Sequence, residues 1–110
     1  MDDVQIVGPP TVAVNADART EVSIPISPAS EPWRSVFRDE LPTRRHYRRI
    51  RAEQDVIRFT VDDVKDCDSY LLVIEAARQS ANRRLRRRME DAGRVAASLR
   101  QSFVERSERP

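Results

Sequence analysis

Apolar residues recur every three or four positions from 66 to about 103: Cys67, Leu71, Ile74, Ala77, Ala81, Leu85, Met89, Ala92, Ala96, Leu99 and Phe103. That spacing places them on one side of a 3.6-residue turn, so the pattern predicts one long helix. No Pro interrupts it, and Gly93 is its one weak point. The band changes partway. Over 67–81 it is wide, including Tyr70, Leu72, Val73 and Ala76, as suits packing across a sheet. From Arg83 onward it narrows to the stripe of a helix that touches only another helix. A helix of that length would run to roughly 55 Å, whereas a compact domain of this size is about 35 Å across. The distal half, about 83–104, is therefore expected to project, and the polar tail 105–110 to fray.

The first quarter alternates with a period of two. Residues 4–7 and 11–14 read as short strands separated by the breaker Gly8-Pro9-Pro10, and 20–26 as a longer one with Val22, Ile24 and Ile26 turned inward. Pro25 lacks an amide hydrogen, so that strand is expected at an edge or to end there. The Gly-Pro-Pro turn is no phosphate loop: it has one Gly, no Lys-Ser/Thr follows, and Pro removes the amides needed. Ser30 reads as the N-cap of a short helix with Pro32 in its first turn, Trp33, Val36, Phe37 and Leu41 on one face, and Pro42 at its end. Residues 43–51 read as a heavily basic strand paired through the turn 52–55 with a strand at 56–61, where Ile57, Phe59 and Val61 alternate inward. The order β-β-β-α-β-β-α predicts an α+β fold. It has a small, mostly antiparallel sheet of four to five strands with two hairpins, one short helix and one long C-terminal helix. A single domain covers 1–104.

Composition adds little to this. The chain has 110 residues, of which 35% are charged and 5% aromatic, with a formal net charge of +2. It carries one cysteine, Cys67, so no internal disulfide is available. Its first residues lack the basic start and apolar run of a signal peptide. With no stretch of membrane-spanning length, a cytoplasmic location is expected.

Candidate chemistry is sparse. Asp62, Asp63, Asp66 and Asp68 crowd the start of the long helix, where carboxylates cap free amides and meet the positive end of the dipole. Counting from any of them, no mid-loop Gly and terminal Glu of a calcium loop follow. His46, the single histidine, lies among arginines that oppose its protonation. A Cys67–His46 pair would need the fold to bring the two together. No catalytic, metal or cofactor motif stands out, no small-molecule substrate is indicated, and a non-enzymatic role is expected.

Two functional readings follow. The first is an interaction protein presenting the long helix for self-association or docking to a larger assembly through Leu85, Met89, Ala92, Ala96, Leu99 and Phe103. The second is nucleic-acid binding through two arginine clusters. One comprises Arg44, Arg45, Arg48, Arg49 and Arg51, with Tyr47 available to stack. The other comprises Arg83, Arg84, Arg86, Arg87 and Arg88. The second cluster surrounds the helix instead of lining one face, and Glu90 and Asp91 lie within pairing distance on adjacent turns. The near-neutral balance also falls short of a dedicated nucleic-acid binder.

Overall fold

A computed structural model describes residues 3–108. Five strands form an antiparallel sheet: β1 (Gln5–Ile6), β2 (Thr11–Val14), β3 (Thr20–Ser27), β4 (Arg51–Glu53) and β5 (Val56–Val61). Two α-helices, α1 (Glu31–Glu40) and α2 (Cys67–Glu108), complete an α+β fold. β3 is central. It pairs with β5 along one edge and with both β2 and β1 along the other, while β4 borders β5.

The alternation in β3 and β5 does what a period of two requires. Val22, Ile24, Ile26, Ile57, Phe59 and Val61 are buried against the helices, and the residues between them are half-exposed on the opposite face. Pro25 sits inside this central strand, not at an edge or a strand end. The reason is local. Pro25 accepts from the Val7 amide at 3.0 Å, so its missing amide hydrogen would point the same way, towards the place where β2 gives way to β1. The Gly8-Pro9-Pro10 breaker lies at that gap and needs no donor from β3. Gly8 also packs so close to the Pro25 ring that an added Cβ would lie 3.2 Å from it.

α1 starts where Ser30 Oγ accepts from the Trp33 amide at 3.3 Å, with Pro32 in the first turn where its missing donor costs nothing. It buries Trp33, Val36 and Phe37, and the Trp33 and Phe37 rings stack at 5.1 Å. Leu41 closes the helix as C-cap and joins the core.

The expected basic strand at 43–51 is absent apart from Arg51. Residues 47–49 form a single 3-10 turn held by local bonds, Tyr47 N to Arg44 O at 3.1 Å and Ile50 N to Tyr47 O at 3.1 Å. Tyr47 and Ile50 are the apolar residues of this stretch and stand three apart. A strand would split them between faces, whereas a helical turn sends both to the body. Tyr47 meets Tyr70 edge-on at 5.4 Å and Ile50 is buried in the core. The β4–β5 hairpin then turns at Gln54, whose φ of 50° lies in the left-handed region.

α2 is one uninterrupted helix through Gly93, about 63 Å long at 1.5 Å per residue. It continues to Glu108 through most of the stretch expected to fray, of which Arg109 and Pro110 lie outside the described residues. Its first half buries Tyr70, Ile74, Ala77, Ala81 and Leu85 against the sheet and α1. Beyond Leu85 the body ends, and every residue from 86 to 106 is exposed. The molecule measures 74 × 26 × 21 Å with a radius of gyration of 19.4 Å, against about 13 Å for a compact chain of such length.

Candidate interaction surface on the distal half of the long helix

The bare half of α2 is not uniformly polar. Met89 is 50% exposed, Val95 58%, Leu99 66% and Phe103 73%, with Ala92 and Ala96 between them. Successive 100° steps place this stripe on the same side of the helix as Ile74, Ala77, Ala81 and Leu85. One apolar face thus runs the length of α2, packed into the chain's own body up to Leu85 and solvent-exposed from Met89 to Leu99. Leu85 itself is only 7% exposed and belongs to the core. Its place as an interface residue is corrected accordingly: the body still covers the helix at Leu85, past the change in band width at Arg83. Val95 was not expected in the stripe, because it lies at the margin of the three-and-four spacing.

The start of the bare segment is tied to the body. Arg86 pairs with Asp3, and Arg84 with Glu40 of α1 at 3.0 Å. The Asp3 carboxylate raises the Arg86 guanidinium above its ordinary value by hydrogen bonding and charge. One turn earlier, Asn82 makes a junction that its sequence context hides. Asn82 Oδ1 accepts from Val4 N at 3.0 Å and from the Trp33 indole Nε1 at 2.9 Å, while its Nδ2 donates to Val4 O at 3.0 Å. A backbone segment, α1 and α2 meet on this one amide. The available signal was a polar residue flanked by Ala81 and Leu85 on the buried face. Arg78 adds a bond to Val4 O at 2.7 Å and one from Nε to Glu75 Oε2 at 2.9 Å. The bond from Arg78 holds the Glu75 carboxyl below its ordinary value, with burial opposing it and a bond from Gln79 adding to it.

The two arginine clusters are not brought together. Arg49 borders the start of α2 near Tyr70, and the second cluster stands about 20 Å further along the same helix. Within the first, Arg48 donates to Arg38 O at 3.2 Å and Arg51 pairs with Glu53 at 3.4 Å. Within the second, Arg83 donates to Ser80 Oγ at 3.2 Å, and Arg84 and Arg86 have the acidic partners given above. Among the described residues, Arg44, Arg45, Arg48, Arg49, Arg83, Arg87 and Arg88 form no ion pair.

An open cleft of about 400 Å³ lies at the sheet end of the body, lined by Arg19, Arg49, Asp62, Asp66, His46 and Tyr70 among others. Its charges oppose one another, with Arg19 3.9 Å from Asp62, and its aromatic groups contact each other: His46 with Tyr47 at 4.1 Å, and Tyr70 stacked on Phe59 at 4.8 Å. Burial, then the nearby Asp66, raises the Tyr70 phenol above its ordinary value, which keeps it neutral. Cys67 is half-buried against the core and is not part of the cleft wall that holds His46, so the geometry builds no Cys–His pair there. Asp63 Oδ1 accepts from the Lys65 amide at 3.0 Å, a local capping role. Among the described residues no cluster of His, Cys, Asp or Glu could hold a metal ion, and no helix is long and apolar enough to cross a membrane.

Comparison with known protein families, curated proteins and solved structures finds no match to this chain.

Proposed function

We propose that this chain is a non-catalytic interaction protein, a small α+β body that presents the distal half of α2 to a protein partner. The observation that carries this reading is the bare stripe at Met89, Val95 and Leu99, in line with the buried face of the same helix. Most helical stability in proteins comes from packing an amphipathic face, and here that face continues past its own body. Large apolar side chains left in water forgo roughly 25 cal/mol for each Å² a partner would cover. The firm root of the segment, through Arg84–Glu40 and Asn82, gives a partner an oriented handle instead of a loose tail.

A second reading, nucleic-acid binding, has the support of the cluster arginines that form no ion pair among the described residues: Arg44, Arg45, Arg48, Arg49, Arg83, Arg87 and Arg88. One experiment separates the two. The tagged chain and its Met89→Glu/Leu99→Glu variant are used for affinity capture from host lysate, with and without nuclease. The interaction reading expects proteins retained by the wild type after nuclease and lost from the variant, with both chains melting alike. Retention that nuclease abolishes would transfer the function to the arginines. Identical capture by wild type and variant would remove the stripe from the account.

A further inference from the structure

We infer that the cleft at the sheet end of the body is a binding site for a free α-amino acid, a zwitterion whose side chain lies against the rings of His46 and Tyr47. This site is independent of the interaction reading, since the cleft belongs to the body and not to the bare half of α2. At about 400 Å³ it falls at the small end of the range, roughly 300–1,000 Å³, that holds small molecules. Such sites are mostly apolar. This one is walled by charges and rings, so its ligand is short and charged.

Tyr70 is the fixed point of the cleft. The residue is 9% exposed, and its ring is clamped, stacked on Phe59 at 4.8 Å and met edge-on by Tyr47 at 5.4 Å. Its hydroxyl forms no hydrogen bond with any described residue. Nor is that oxygen sealed in the core, because Arg58 Nε is the one buried side-chain polar atom without a partner among the described residues. The hydroxyl of a buried tyrosine ordinarily finds a partner. Here the partner has to come from the cleft that Tyr70 lines.

Charge sets the class of ligand. The charges that act on the Tyr70 phenol include Asp66 and Arg49, so both lie close to it. Neither forms an ion pair with a described residue. Arg19 and Asp62 stand 3.9 Å apart with side chains 50% and 82% exposed, a contact of little worth in water that a ligand can open. A simple anion would meet the two aspartates and a simple cation the two arginines, so the cleft disfavours both. A zwitterion answers each charge. Its carboxylate accepts from the Arg49 guanidinium and the Tyr70 hydroxyl, and its ammonium donates to the Asp66 carboxylate. The His46 and Tyr47 rings, 4.1 Å apart between centroids, give its side chain an aromatic wall. Because the charges stay partly in water, the dissociation constant is about 0.1–1 mM.

The test is an NMR titration of the isotope-labelled full chain with L-phenylalanine. Saturable amide shifts should appear at residues 46–49, 60–62 and 66–70 and leave 86–106 unmoved. Hydrocinnamate lacks the ammonium and phenethylamine lacks the carboxylate, and each should bind about tenfold more weakly or less. Tyr70→Phe should weaken L-phenylalanine about tenfold with the melting temperature unchanged, because that hydroxyl bonds nothing in the chain. Asp66→Asn, at an exposed position, should weaken it by a similar factor, whereas the Met89→Glu/Leu99→Glu variant should bind as the wild type does. The absence of saturable shifts up to the solubility limit of L-phenylalanine overturns the site. Hydrocinnamate or phenethylamine binding as tightly as L-phenylalanine overturns the zwitterion. Unchanged affinity in both Tyr70→Phe and Asp66→Asn overturns the placement of the ligand in this cleft.

Discussion

Replacing Asn82 with Ala tests whether the handle is rooted as described. The substitution removes the acceptor for the Val4 amide and for the Trp33 indole, and both residues are at most 1% exposed. The Val4 carbonyl keeps its bond from Arg78 at 2.7 Å, so two donors are orphaned. Each buried orphan costs about 1–3 kcal/mol, giving a loss of about 2–6 kcal/mol from a total that for such domains is roughly 5–15 kcal/mol. At about 4–8 °C per kcal/mol, the melting temperature should fall by about 10 °C or more. Urea unfolding followed by Trp33 fluorescence reads the same loss, with the slope unchanged if only stability moved. A cycle with Trp33→Phe sharpens the test. Trp33→Phe removes one of the orphaned donors, so the double variant should be about 1 kcal/mol or more stabler than the sum of the singles implies. A loss within about 0.5 kcal/mol, the range of ordinary surface substitutions, or strict additivity, would refute the argument that this amide joins β1's approach, α1 and α2.

Two further outcomes bear on α2. Gly93 has open space around its Cα, so Gly93→Ala should add about 1 kcal/mol of local helix stability; circular dichroism should show more helix while the cooperative melt of the body stays put. Glu75 has its carboxyl held below the ordinary 4.5 by Arg78. The folded state therefore binds that proton less readily than the unfolded state does, and the stabilisation is present above pH 4.5 and lost as the pH falls below it. Glu75→Gln should flatten the acid limb of a stability–pH profile and leave its alkaline limb alone; an unchanged acid limb would mean the pair contributes nothing.

The parts of the fold that a single period could specify were legible in the sequence. β3, β5 and α1 each carry an apolar face matched to their own repeat, and the N-cap at Ser30 marks where α1 begins. The order of strands and helices follows from those faces together with the Gly-Pro-Pro breaker and the turn at 52–55. What the sequence hid depended on neighbours distant along the chain. The loop at 43–50 resembled a strand because its arginines carry no period, and the deciding contact, Tyr47 on Tyr70, spans more than twenty positions. Pro25 is tolerated in a central strand because its neighbour on that edge breaks at the same point. Asn82 reads as an ordinary helix polar residue until Val4 and Trp33 are placed beside it. Leu85 belongs to the core and Met89 does not, since the body ends between them.

The most direct test of the association surface is amide hydrogen exchange along α2, compared between the dilute chain and its associated form. The account predicts fast exchange over 86–106 in the dilute chain, because a bare helix opens locally at little cost. It predicts slowed exchange there on association, with the amides of β3, β5 and the first half of α2 unchanged. Association that leaves 86–106 exchanging as before, or that protects the β2 edge instead, would contradict it.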